Sequence, residues 1–353
     1  MERQGFRFGI LRPSNSGRWT ILGMLILLNA CATSGYQHTR FLVAGNEAAQ
    51  KGNFVDAVSN YEKALSEVPD SSTGKRNLGI VLVKIADYDR ALGLLRAVEK
   101  DYASDSELHY FLGEALRGQR NFELAAKSYQ DGLRLDPGNL RLTKALAWTW
   151  HKMGRNDWVI NLIGPYVGLK PNDRQIQLIL ASAYNASGKF DKAIALLTSK
   201  SSKSARSNSI TSSGFQAEDM LIWTALGDGY AGKGDCASAQ PLYIKVLRVR
   251  PFFDSALVGS AKCHLAAKNP KAAVPLLERA IKSNPESAEG HFFLGRVLEG
   301  SETDRAMVYL NRFLAMTESN PSANRSQREM ARRSVARAAR SQSGGQQGPR
   351  SGQ

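Results

Sequence analysis

The chain has 353 residues but only three cysteines and five histidines. His38, His109, His151, His264 and His291 stand far apart, no His-Glu-x-x-His occurs, and no two cysteines lie close in sequence, so no metal-ligand signature is present. No Gly-x-Ser-x-Gly elbow is available to present a serine nucleophile. Long apolar runs are also lacking. The most apolar segment, Ile21 to Leu28, is far shorter than the ~20 residues that span a bilayer. The net charge of +15 does not make a dense basic surface either. Residues 1–30 carry +3 and residues 322–353 carry +6, which leaves +6 on everything between, too little to grip a phosphate backbone. The chain is therefore expected to be no enzyme, with no catalytic residues, no cofactor, no metal and no nucleic-acid partner.

What is present begins with the leader. Arg3, Arg7, Arg12 and Arg18 precede the short apolar run, the pattern of a signal peptide over residues 1–30. Leu28-Asn29-Ala30-Cys31 resembles the lipobox of bacterial lipoproteins, although Asn29 is unusual at its place. The resemblance implies that Cys31 is lipidated and becomes the first residue of the mature chain. Two acyl chains anchor a protein stably without a spanning helix. Ala32, where an Asp would favour inner-membrane retention, implies the periplasmic face of the outer membrane in a Gram-negative host. The alternative is an ordinary signal peptide with an incidental cysteine. A linker over 31–37 reaches only ~20 Å, so the first repeats would lie close to the membrane.

From residue 38 the chain repeats itself. Gly45, Gly79 and Gly113 are evenly spaced by 34, and Ala57, Ala91 and Ala125 each follow twelve residues later. The sixth copy carries Trp223, Leu226, Gly227, Tyr230, Ala239, Tyr243 and Pro251; the first carries Phe41, Gly45, Ala57, Tyr61, Ala64 and Pro69. These positions resemble the tetratricopeptide repeat, in which small residues let two antiparallel helices approach and large apolar residues fill the space between them. The resemblance implies an all-α, right-handed superhelical solenoid of about eight repeats. Starts at 38, 72, 106, 140 and 174 place repeats one to five over 38–207, and starts at 220, 254 and 288 place repeats six to eight over 220–321.

Several segments depart from the pattern. Gly164-Pro165 falls inside the second helix of repeat four, where a bent or broken helix is expected, and Pro241 and Pro275 should kink the second helices of repeats six and seven. Residues 199–214 hold eight serines, three bases and no acid, and are expected to form a mobile loop. Residues 322–340 are expected to form a basic tail or a capping helix with Met330 and Val335 inward, and 341–353 a disordered tail.

The segment Gly227-Asp-Gly229-Tyr-Ala-Gly232-Lys233-Gly234 matches Gly-x-Gly-x-x-Gly, but its neighbours are in helical phase and Gly227 belongs to the repeat. Pairing the helices as in the family brings Cys236 and Cys263 to within about one turn along the axis, so a disulfide is open. The alternative is two small buried residues that never meet. The family's ligand-contacting positions, carried over, are Tyr110, Glu114, Arg117, Lys144, Trp148, His151, Gln175 and Asn185. Its carboxylate clamp is not reproduced, since Leu42 stands before Asn46. The implied partners are envelope proteins or peptides, with a secretin or other pilus component suspected from similar repeat lipoproteins. Recruiting peptidoglycan hydrolases is the alternative, a hydrolase or nucleotide-binding enzyme is a distant third, and the basic tail could touch peptidoglycan or anionic lipid weakly.

Overall fold

The computed structural model of the chain describes residues 35–199, 217–318 and 325–344. The signal peptide, Cys31, the Ser-rich stretch from residue 200 and the end of the tail lie outside the described residues. Among the described residues there are seventeen α-helices and no strand. They fall into two compact units that divide between Pro137 and Gly138.

The first unit holds α1 (35–50), α2 (Phe54–Glu67), α3 (Ser72–Lys84), α4 (Tyr88–Ala97), α5 (Ser106–Gly118) and α6 (Phe122–Leu135). Each helix from α2 to α6 packs on the one before or after it, and α3 also touches α5. The second unit holds α7 (Leu140–Lys152), α8 (Asn156–Leu169), α9 (Arg174–Ala186), α10 (Phe190–Thr198), α11 (Ala217–Gly232) and α12 (Cys236–Val249). It continues with α13 (Asp254–Ala266), α14 (Pro270–Ser283), α15 (Ala288–Leu298), α16 (Thr303–Met316) and α17 (Arg325–Gly344). Both α9 and α10 pack on α11, so the fifth and sixth pairs stack across the Ser-rich stretch.

The turn inside seven of the eight pairs is built the same way. Gly52, Ala86, Arg120, Gly154, Gly188, Gly234 and Lys268 all have positive φ, between 55° and 82°. The residue after each donates its backbone N–H five positions back, as Asn121 does to Leu116 O at 2.9 Å and Asn269 to His264 O at 2.9 Å. This closes the first helix with a left-handed residue, a conformation that costs a non-glycine roughly 1–2 kcal/mol. The next residue then opens the second helix. Asn53, Asp87, Asn121, Asp235 and Asn269 each accept a bond from a backbone N–H three residues on. Ser71, Asp105, Asn139, Asp173 and Ser287 cap the first helices with their side chains. Such caps are worth ~1 kcal/mol each, and they mark ten of the helix starts, whereas Arg155, Lys189, Phe253 and Glu302 make no side-chain cap.

Small residues set the spacing within a pair. A Cβ on Gly113 would lie 2.4 Å from the Tyr129 ring, and one on Gly227 would lie 2.8 Å from Tyr243. Ala57, Ala91, Ala125, Ala239 and Ala273 are fully buried at the equivalent place on the second helices. The core is a series of layers, such as Ala147, Val159, Ile163, Ile176 and Leu180, followed by Ala181, Ala193, Leu197, Ile222 and Leu226.

Two expectations need correction. First, of the bend or break expected at Gly164-Pro165, the break does not occur, and α8 is one helix through both residues. Pro165 is exposed, and so is Asn161, whose carbonyl loses its helical partner, so water can satisfy that carbonyl at small cost. Pro241 and Pro275 are likewise exposed inside the uninterrupted α12 and α14. Second, α17 is a capping helix, but Met330 faces outward. Its inward positions are Arg328, Ala331, Ser334 and Ala338, with Val335 half-buried. Ala331 joins Phe292, Leu310 and Phe313 in an apolar cluster. Arg328 turns inward to donate to Leu314 O at 3.2 Å and Thr317 Oγ1 at 2.6 Å, placing its charge at the carbonyl end of α16. Small residues win the interface because they let α17 approach closely.

Candidate partner-binding faces

In the first unit, α5 carries Tyr110, Glu114 and Arg117 along one face. Tyr110 is half-buried, with its ring edge-on to Phe111 at 5.2 Å and tilted against Tyr129 at 6.1 Å. Glu114 accepts the Tyr129 hydroxyl at 2.6 Å and the Arg117 guanidinium at 2.5 Å. Burial, followed by the Glu114 charge, pushes the Tyr129 phenol well above its ordinary range. Glu114 also raises the Arg117 guanidinium. Both groups keep their ordinary charge states, and Glu114 acts as a clasp between the two helices of its pair. On this face Arg117 is exposed and Tyr110 half-buried.

In the second unit, α7 carries Lys144, Trp148 and His151 at the corresponding places. Lys144 pairs with Asp173 at 3.2 Å, tying α7 to the cap of α9. Trp148 and His151 stack at 5.3 Å with an interplanar angle of 13°, and the Lys152 ammonium lies 5.6 Å from the Trp148 centroid. His151 Nδ1 meets Asn156 Oδ1 at 2.7 Å. Burial holds the imidazole below its ordinary range, so it is neutral at pH 7. Gln175 is exposed on α9. Asn185 spends its amide on Ala225 O of α11 at 2.7 Å, a helix–helix tie. The eight positions thus divide into a set of three on the first unit and a set of five on the second.

A polar group on α11, α12, α13 and α15 of the second unit lies outside the eight positions carried over from the family. Asp228 accepts the Tyr243 hydroxyl at 2.8 Å, and Lys262 lies 3.7 Å from Glu289 and 5.4 Å from the Phe293 centroid. Burial pushes the Asp228 carboxyl up to about 6, against the opposing pull of Lys262. The signal that finds it is the register. Asn46, Glu114 and Asp228 each follow the repeat glycine, and each accepts the hydroxyl of the tyrosine fifteen residues on.

The two later cysteines meet. Cys236, at the start of α12, is bonded to Cys263 of α13, with Cα atoms 5.4 Å apart. Gln240 and Ser260 exchange hydrogen bonds beside it, and Tyr243 fills the space over Gly259. The glycine motif at 227–234 runs through α11 and its closing turn. Gly227, Gly229 and Gly232 admit Tyr243, Ile194 and Phe190 against the helix, which leaves no loop to cradle a phosphate. Among the described residues, no group of His, Cys, Asp and Glu could hold a metal ion.

The tetratricopeptide-repeat family model matches residues 76–139, 224–276 and 264–321. A tetratricopeptide repeat protein from Parabacteroides merdae superposes with a TM-score of 0.53 at 12% identity, covering 86% of this chain and 99% of that one. The TPR repeat-containing protein YpiA of Bacillus subtilis is 29% identical over 150 residues, 41% of this chain and 34% of the relative. A small glutamine-rich tetratricopeptide repeat-containing protein of Mycosarcoma maydis is 28% identical over 103 residues, 29% of each chain. The chain thus spans about a third of the length of these two sequence relatives. The paired helices, their glycine and alanine contacts and these matches agree: the chain has the all-α tetratricopeptide fold, and its residues 76–139 and 224–321 match the repeat of that family.

Proposed function

We propose that this protein is a non-enzymatic scaffold, held on the periplasmic face of the outer membrane by a lipid on Cys31, that binds other envelope proteins through the first helices of its repeats. Tetratricopeptide repeats generally bind peptides or proteins, and none of the faces described above assembles a nucleophile, a base and an oxyanion site. The observation that carries the reading is the α7 face, where Trp148 stacks on His151 beside the Lys152 ammonium. A large half-buried aromatic ring with a cation beside it is the kind of anchor that dominates peptide interfaces. An extended or helical segment laid across α7 would bury the Trp148 face and reach the exposed amide of Gln175.

The envelope machine served is proposed to be a pilus or secretion system, with a secretin or another pilus component as the bound partner. The pilus link rests on resemblance to repeat lipoproteins of pilus assembly, whereas the lipobox-like Leu28-Asn29-Ala30-Cys31 with Ala32 behind it supports the anchor. Radiolabelled palmitate should enter the parent and not the Cys31→Ser variant. Isolation of the lipidated protein from its native envelope, followed by identification of what accompanies it, should return a secretin or pilus subunit. Recovery of a peptidoglycan hydrolase instead would replace this machine with a wall-remodelling one, and an unlabelled, soluble protein would remove the anchor.

A further inference from the structure

The outward face of α17 is far more one-sided in charge than a cap requires. A terminal repeat needs a polar outer face to stay soluble, and mixed signs would serve. Here Arg325, Arg332, Arg333, Arg337 and Arg340 are all exposed, and Glu329 is the sole acid from residue 322 to the end. Glu329 is engaged by Arg333. The sixth arginine of the helix, Arg328, is spent inward on the end of α16. The helix is also held in place: Ala331 sits in the apolar cluster, and Arg296 of α15 donates to Ser334 Oγ at 3.2 Å. The fold therefore presents a cationic face that runs ~22 Å along α17 from Arg325 to Arg340.

We propose that this face is a docking surface for anionic phospholipid headgroups, a second membrane contact that does not depend on Cys31. Guanidinium groups spread along one face match phosphates spread over a plane, each bridging one or two oxygens with paired N–H donors. Each basic residue near an anionic leaflet contributes about a fivefold gain in partition, within a Debye length of ~10 Å. Met330 is the large apolar side chain exposed beside these arginines, so the helix rests on headgroups and does not insert. Residues 322–353 contain no aromatic side chain, so nucleic-acid bases would find nothing to stack on, which favours a lipid surface over a nucleic acid.

The test uses the full chain carrying Cys31→Ser, so that no acyl chain contributes, and vesicles of phosphatidylcholine alone or with about one-third phosphatidylglycerol at low salt. The readout is the ratio of partition coefficients on the two vesicle types, compared between parent and variants, because the basic leader with its apolar run at residues 21–28 adds the same background to each protein. Replacing Arg325, Arg332, Arg333 and Arg337 together by Gln should lower that ratio about tenfold or more, and replacing the same four by Lys should preserve it. Salt of about 0.5 M should bring the parent close to the Gln variant. Circular dichroism is expected to give the same melting for all three proteins, since these side chains face water. A Gln variant that partitions like the parent would overturn the proposal, as would tighter binding to a duplex oligonucleotide than to the anionic vesicles. If the Gln variant melts early, the parent's own ratio decides, and a value near one is fatal to the idea. Palmitate labelling of Cys31 reads the anchor separately, so either membrane contact can fail without the other.

Discussion

Tyr129 donates its hydroxyl to Glu114 Oε1 at 2.6 Å, and its ring fills the space that Gly113, one residue earlier, leaves open. The same pairing joins Tyr61 to Asn46 at 2.7 Å and Tyr243 to Asp228 at 2.8 Å. The tetratricopeptide glycine and aromatic positions thus come with a third member, a polar acceptor directly after the glycine, which closes the pair over a buried phenol.

Two substitutions separate these roles. Tyr129→Phe keeps the ring and removes the bond, and should cost ~1–2 kcal/mol by urea denaturation. Gly113→Ala forces a Cβ to 2.4 Å from a ring that has nowhere to go, and should cost more, ~2–3 kcal/mol. No loss of stability from Tyr129→Phe would mean that packing, and not the hydroxyl, holds the clasp.

Asp228 makes a pH signature of the same device. Its carboxyl is pushed up to about 6 by burial, above its unfolded value, so the folded state holds the proton more tightly than the unfolded chain does. Its contribution is fully present below the unfolded value, about 4, and is lost as pH rises through about 6. Asp228→Asn keeps an acceptor for Tyr243, as Asn46 does for Tyr61, and removes the ionisation. The variant should melt at about the same temperature as the parent at pH 4 and higher than the parent at pH 7. An unchanged melting difference between the two pH values would contradict this reading.

The period, the all-α pairing and the small-residue contacts were legible because sterics enforce them: only a residue as small as Gly45 or Ala57 fits where two helices cross. The positive-φ turn was not, because Ala86, Arg120 and Lys268 occupy it as well as glycines, so composition hides a backbone rule that seven turns share. Pro165 misled because its cost depends on whether Asn161 O meets water, which only burial reveals. Met330 misled for the opposite reason: its size suggested the core, whereas α17 packs through Ala331, Ser334 and Ala338. At the sites, the family positions located the right faces but not their internal ties. Glu114, Lys144 and Asn185 each hold a neighbour within the fold, a distinction that lies in distances and not in residue type.

The Cys236–Cys263 bond closes a separation of 27 residues, and its removal should lower stability by ~3 kcal/mol. Because Gln240, Ser260 and Tyr243 hold the same junction, Cys236→Ser together with Cys263→Ser should remain folded, with an earlier denaturation midpoint. A midpoint that does not respond to reductant in the parent would mean that the bond does not bear on stability.

The central claim, that first-helix faces receive a protein partner, is tested most directly by photo-crosslinking in the native envelope from a benzophenone amino acid at position 148. Position 308, where Val308 is 67% exposed on a second helix, is the comparison. A discrete adduct from position 148, identified by mass spectrometry as a secretin or pilus subunit and absent from position 308, is the predicted result. No adduct from position 148, or the same adduct in equal yield from both positions, would contradict it.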